Sequence, residues 1–516
     1  MGIIIESWYD TMQKIMLTET FPQDWVRMFT HLANLFFEQS SVVTEEGDDA
    51  VLVDFFLDQQ DGVYSGTASL SWKGAKHSST FSEKAEAGDE KTKTRQLKRI
   101  YSHLFLEVLE QATGMQQAWG ILTGIRPTKL YHKYRRQGMS SEEAQRMLQD
   151  RHRISQEKSE LLAIIADVQL RAIPDLYELK NGVSIYIGIP FCPTKCAYCT
   201  FPAYAIRRKN GRVDSFLDAL HEEIREMGKW LTAHDMEITT IYFGGGTPTS
   251  IEADEMDALY ETMYDSFPNM DKVREITVEA GRPDTITPEK IEVLKKWGID
   301  RISVNPQSYT DETLKAIGRH HTVQETIDKF WLSRNMGMKN INMDLIIGLP
   351  NEGMEEFRHS LDETEKMQPE SLTIHTLSFK RASEMTRNKE KYKVADRGTV
   401  EEMMRMGEQW TAGNGYVPYY LYRQKNILGN LENVGYSKPG EESLYNIIIM
   451  EEVQTIIGIG CGASSKFIDR ETGKIAQFYN PKDPAAYSLA FEDAIEKKLN
   501  FLDAVFPDGA KTGSIR

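Results

Sequence analysis

VSIYIGIPFCPTKCAYC, residues 183–199, begins as a β-strand and ends as an inorganic ligand set. Val, Ile, Tyr and Phe fill its first half, the composition of a buried, pleated strand. The second half spaces Cys192, Cys196 and Cys199 as C-x3-C-x2-C, and these are three of only four cysteines in 516 residues. So tight a group in a cysteine-poor chain reads as metal binding in a reducing compartment, not as a disulfide framework. Structural zinc normally takes four protein ligands in two paired knuckles, and no second C-x-x-C or H-x3–5-H stands nearby. A [4Fe-4S] cluster takes four ligands, so three cysteines leave one iron open for chemistry.

Outward from this run, β-rich segments alternate with helical ones. Strands are predicted over 183–191, 238–244, 275–280, 301–307, 340–347 and 371–378. Helical spacing of apolar residues is predicted over 214–231, 253–267, 288–297, 323–336 and 354–367. This is an α/β alternation, and six repeats predict a partial (βα)6 TIM-like barrel with helices outside. NINMDLIIGLP reads as a strand buried on both faces. Ligands of such sheets collect at the C-terminal strand ends, where the cysteine loop falls.

The flanks differ. Residues 1–178 are expected to form an α+β domain, with VLVDFFLD and YSGTASLSWK as strands, a charged linker near 83–93 and a helix over 94–111. WGILTGIRPTKLYHKYRRQG reads as an exposed helix with a capped start, or as a docking surface. Residues 179–410 are the expected core, and 411–516 a smaller, aromatic and Gly-rich region that covers the substrate. A chain this long exceeds one ordinary core. No apolar run approaches the roughly 18 residues of a membrane span, and MGIIIESWYD carries no basic leader before its apolar patch. A cytoplasmic protein with no membrane partner is expected. Against 77 Asp+Glu stand 61 Lys+Arg, a formal charge of −16, which argues against a nucleic-acid surface.

The open iron invites a bidentate ligand, and the amino and carboxylate groups of S-adenosylmethionine suit it. Gly244, Gly245, Gly246 and Thr247, after the second strand, offer backbone that such a ligand could approach closely. Glu279, Gln307 and Asp344 are polar groups at strand ends on the same edge.

YIGIPFCPTKCAYC, FGGGTPT, VEAGRPDT, RISVNPQS, IGRHHT, NMDLIIGLP and IGIGCGASSK together resemble the oxygen-independent coproporphyrinogen III oxidase family of radical S-adenosylmethionine (radical SAM) enzymes. VEAGRPDT, SFKRAS and YYLYRQKN…GNLENVGY favour its HemZ-type coproporphyrinogen dehydrogenase branch. The resemblance covers 180–470 and implies a radical SAM fold, a [4Fe-4S] cluster on Cys192, Cys196 and Cys199, and S-adenosylmethionine. It implies oxidative decarboxylation of two propionates of coproporphyrinogen III to protoporphyrinogen IX through a 5′-deoxyadenosyl radical, with a porphyrinogen substrate and an electron donor such as flavodoxin or ferredoxin. Tyr186 is implied as the catalytic tyrosine over the first S-adenosylmethionine, with Gly245 and Glu279 as further contacts. Tyr198, Gly246, Thr247, Gln307, Arg319, Asp344 and Ser378 are implied around a second, with Ser464 nearby. One departure stands beside these: Phe201 occupies the place of a fourth cysteine in the best-studied branch.

A tetracarboxylate needs cations in an apolar cavity. Lys380, Arg381, Arg423 and Lys425 are candidates, although each ordinarily reads as a solvated surface charge. Cys461, alone, reads as a small buried residue. Two other functions stay open: a haem chaperone-like binding protein, and a radical SAM haem-degrading methyltransferase.

Overall fold

The computed structural model describes residues 13–37, 40–43, 50–124, 126–206, 212–379, 383–388, 391–424, 427–507 and 509. Lys380, Arg381 and Lys425 lie outside them. The chain divides into two compact units, Met1–Ala163 and Ile164–Arg516.

In the first unit, β1 (Gln13–Leu17), β2 (Ser40–Val43), β3 (Val51–Gln60), β4 (Val63–Trp72) and β5 (Ala75–Lys84) form a sheet of order β2-β1-β3-β4-β5. Alternation along β3 buries Val51, Val53 and Phe55 and exposes the residues between them. The helix Glu90–Thr113 lays Ile100, Leu104, Phe105 and Val108 into that core. Its start is fixed by Asp89, whose side chain accepts from Thr92 N, and its end by Gly114 at φ 71°. The charged linker expected near 83–93 is confined to residues 85–89, between the end of β5 and the start of this helix. Polar residues fill β5 because it is an edge strand, with Ser79 buried and its hydroxyl donating to Leu104 O. The basic helix Thr128–Arg136 has no side-chain cap and buries Tyr131 and Tyr134, so it is not simply exposed.

The second unit contains β6 (Val183–Ile189), β7 (Phe191–Cys192), β8 (Tyr204–Ala205), β9 (Ile238–Gly245), β10 (Glu275–Val278), β11 (Arg301–Ser303), β12 (Asn340–Ile347), β13 (Ser371–Thr376), β14 (Val417–Tyr422), β15 (Asn433–Ser437), β16 (Thr455–Gly460), β17 (Ser464–Ile468) and β18 (Ile475–Tyr479). All six predicted strands are present. They pair in parallel from β6 through β9, β10, β11 and β12 to β13. A seventh parallel strand, β16, pairs with β6. The eleven-stranded sheet runs β14-β15-β13-β12-β11-β10-β9-β6-β16-β17-β18, a mixed sheet consistent with the partial barrel. Residues 411–516, expected as a region of their own, supply both of its edges.

The strands are not apolar on both faces. In β12, Ile341, Met343 and Leu345 are buried, while Asn340, Asn342 and Asp344 share the other face. The same polar face continues through Arg301, which donates to Asn340 Oδ1 at 2.9 Å, and through Thr240, which donates to Ser184 Oγ at 2.9 Å. The helix Leu444–Glu451 closes on this face. Glu275 accepts from Ser443 Oγ (2.9 Å), Leu444 N (2.9 Å) and Tyr445 N (3.1 Å), placing a carboxylate on the positive end of that helix.

Candidate radical SAM site

The cysteine loop leaves the C-terminal end of β6 and is pinned on both sides. Ala197 N donates to Ile317 O (2.9 Å) and Met385 N to Ala197 O (3.0 Å). Thr194 Oγ1 donates to Gly318 O (2.9 Å), and Arg282 Nη1 donates to Thr194 O (3.2 Å) and Oγ1 (3.0 Å). Cys192 Sγ lies 3.3 Å from Thr247 Oγ1, which ties the loop to the glycine turn. Burial, with Cys196 and Cys199 adding charge, pushes the Cys192 thiol up to about 11.

The glycine turn needs its glycines. Gly246 N donates to Ile189 O and Thr247 N to Phe191 O, both at 2.7 Å. A Cβ on Gly246 would sit 2.5 Å from Phe191 O, and Gly245 holds φ +108°.

Below the turn, Tyr186 stacks on Tyr242 (centroids 6.1 Å) and Tyr242 on Tyr445 (4.4 Å). Tyr242 donates to Glu279 Oε1 at 2.5 Å. Burial raises the Glu279 carboxyl to about 7, the Tyr242 bond opposes the rise and the Asp344 charge adds to it. Asp344 faces the same space, yet its carboxyl is held below the usual range. Burial pushes it up, but His375, with Nε2 3.5 Å from Oδ2, Asn342, whose Nδ2 donates to Oδ1 at 2.8 Å, and Thr373 together outweigh that.

Of the other predicted residues, Gln307 adopts φ 68° and its N donates to Asp344 O at 2.9 Å. Arg319 is buried against Tyr198 and Cys196 and donates to Asn305 O at 2.6 Å. Ser378 pairs with Ile427 through an isolated bridge. Ser464 opens β17, opposite Tyr479 and two strands away from β6. Arg423 is buried, not a solvated charge, and donates to Asn430 O at 3.3 Å. Cys461 is buried as expected, and burial lifts its thiol to about 12. Tyr242, Asn305, His375, Tyr422 and Tyr445 line the same polar face and were not singled out from sequence. Strand alternation alone would have found Tyr242, two residues before Gly244.

The residues fit an iron-sulfur cluster with an organic ligand. None of the three cysteines is held in a disulfide. Asn305 Oδ1, Ser303 Oγ and Arg319 Nε are buried without a protein partner, and such atoms call for a polar guest.

A cysteine loop of this spacing at the mouth of a parallel barrel defines a radical S-adenosylmethionine protein, and the Radical SAM superfamily pattern matches residues 186–364. HemZ of Bacillus subtilis, named an oxygen-independent coproporphyrinogen-III oxidase-like protein, is 60% identical over 489 residues, 94% of this chain and 97% of the relative. The heme chaperone HemW of Escherichia coli is 28% identical over 305 residues, 59% of this chain and 75% of that protein. The solved coproporphyrinogen III oxidase HemN of Escherichia coli, a radical SAM enzyme, aligns with TM-score 0.49 and 19% identity, over 63% of this chain and 72% of that one. The chain belongs to the radical SAM superfamily, and within it to the family of oxygen-independent coproporphyrinogen-III oxidase-like proteins that includes HemZ. It uses the superfamily's [4Fe-4S] cluster and S-adenosylmethionine. Among the described residues no helix is long and apolar enough to cross a membrane.

Proposed function

We propose that the protein is a cytoplasmic coproporphyrinogen dehydrogenase that decarboxylates two propionates of coproporphyrinogen III to vinyl groups, giving protoporphyrinogen IX without oxygen. The observation that carries this reading is the 60% match to the HemZ relative, which runs through 94% of the chain rather than through the barrel alone. Cys192, Cys196 and Cys199 would hold the cluster. Bound there, the cluster and S-adenosylmethionine would supply the one-electron chemistry that removes hydrogen from a propionate β-carbon.

The chain's own residues do the rest. The backbone at Gly245 would receive the methionine moiety of the first S-adenosylmethionine, and the Glu279 carboxylate would pair with its ammonium. Tyr186 lies beside that pair as the catalytic tyrosine. Gln307, Arg319, Asp344 and Ser378, with Tyr198, Gly246 and Thr247, orient a second S-adenosylmethionine, and Ser464 borders it. The Tyr186, Tyr242 and Tyr445 stack keeps water from below. Flavodoxin or ferredoxin is the proposed electron donor.

The test is anaerobic reconstitution with reductant, S-adenosylmethionine and coproporphyrinogen III, read by mass spectrometry. Loss of two carbon dioxide units is expected. Formation of 5′-deoxyadenosine without a vinyl product would overturn the reading. Stable haem binding without turnover would favour a chaperone, the function named for the HemW relatives.

A further inference from the structure

Asp344 stands at the end of a hydrogen-bonded chain. Tyr422 OH lies 3.2 Å from His375 Nδ1, His375 Nε2 lies 3.5 Å from Asp344 Oδ2, and Gln424 Nε2 lies 3.5 Å from Tyr422 OH. Three elements supply the chain: β12 gives Asp344, β13 gives His375 and the edge strand β14 gives Tyr422. Asp344 pairs in register with Thr373, so His375 rises one interior position above it, and the hydroxyls of Thr373 and Tyr420 meet at 3.1 Å beneath. An imidazole with one nitrogen accepting from a phenol presents the other as a donor, which fixes its tautomer and ring plane. We propose that His375 is a positioning residue: clamped between Tyr422 and Asp344, it aims the Asp344 carboxylate at S-adenosylmethionine. This rests on the reading that Asp344 contacts that molecule.

The protein with its cluster is titrated with S-adenosylmethionine by calorimetry. Asp344→Asn and His375→Ala should each weaken binding by about 10–100-fold, the usual effect of losing a ligand's orienting partner. His375→Gln places an amide near the lost Nε2 and should stay close to wild type, whereas His375→Asn mimics only Nδ1 and should bind as weakly as His375→Ala. Wild-type affinity in Asp344→Asn would overturn the Asp344 reading. Weak binding in Asp344→Asn with wild-type affinity in His375→Ala would overturn the role of His375 alone, as would equal rescue by Gln and Asn. Independently of folding in the variants, nitrogen NMR of histidine-labelled wild-type protein should show a proton on His375 Nε2. An Nε2 without a proton overturns the proposal.

Discussion

The Tyr242 hydroxyl donates to Glu279 Oε1 across 2.5 Å in a partly buried site, and it is a bond that opposes the protonation of its own partner. Burial favours the neutral carboxyl, and the hydrogen bond favours the ionised one. Glu279 therefore titrates near 7 instead of near its ordinary 4.5. A folded value above the unfolded one means that the stability Glu279 contributes is full below about 4.5 and is lost as pH rises toward 7. The loss is on the order of 3 kcal/mol. Melting of the cluster-free protein should fall between pH 4.5 and 7.5 relative to Glu279→Gln, while Glu352, also raised to about 7, acts equally in both. In Tyr242→Phe the midpoint of that loss should move higher still. Parallel pH curves for wild type and Glu279→Gln would count against this account.

The glycine turn gives a steric prediction. In Gly246→Ala the new methyl would meet a backbone carbonyl, Phe191 O, at 2.5 Å, and the strand pair around it cannot retreat freely. A cost of about 1–3 kcal/mol is expected, as for overpacking in a filled core, together with lower iron retention after reconstitution. Gly413→Ala, at the end of the helix Arg397–Gly413 with nothing within 4 Å of the added atom, should be neutral or slightly stabilising. Equal melting temperatures for the two variants would show that the turn has room.

Iron content tests the ligand set. Cys192→Ala, Cys196→Ala and Cys199→Ala should each abolish the iron-dependent absorbance near about 400 nm. Cys461→Ala should leave it intact, because Cys461 lies outside the loop. Full cluster retention in any of the first three variants would refute the assignment.

The six central strands were readable because each is a dense β-branched or aromatic run between helical periods, and 340–347 coincides with β12 residue for residue. β16 was hidden for the opposite reason. Its TIIGIG run lies far along the chain, and its place beside β6 is a long-range pairing that no local pattern announces. β5 was missed because an edge strand needs no apolar repeat, and AKHSSTFSEK has none. At the site, glycine spacing and strand-end carboxylates could be read directly. His375 and Tyr422 could not, since each is ordinary in its own strand and acquires meaning only when β13 and β14 are placed on one face.

Glu223 and Lys498 form a fully buried ion pair joining the helices Arg212–Ala233 and Pro484–Val505. Glu223 also accepts from Gly460 N (2.7 Å), Asn480 Nδ2 (3.0 Å) and Tyr487 OH (2.5 Å), and Lys498 Nζ donates to Gly458 O at 2.8 Å. The pair thus grips the end of β16, the strand that flanks β6 and its cysteine loop. Removing one charge leaves the other desolvated and unbalanced, which costs about 3–5 kcal/mol, whereas removing both is often nearly neutral. Lys498→Met should therefore shift denaturant unfolding of the full chain by about that amount, and the added change Glu223→Gln should recover much of it. A Lys498→Met variant within about 1 kcal/mol of wild type, the usual ceiling for a solvated pair, would show that water reaches the pair.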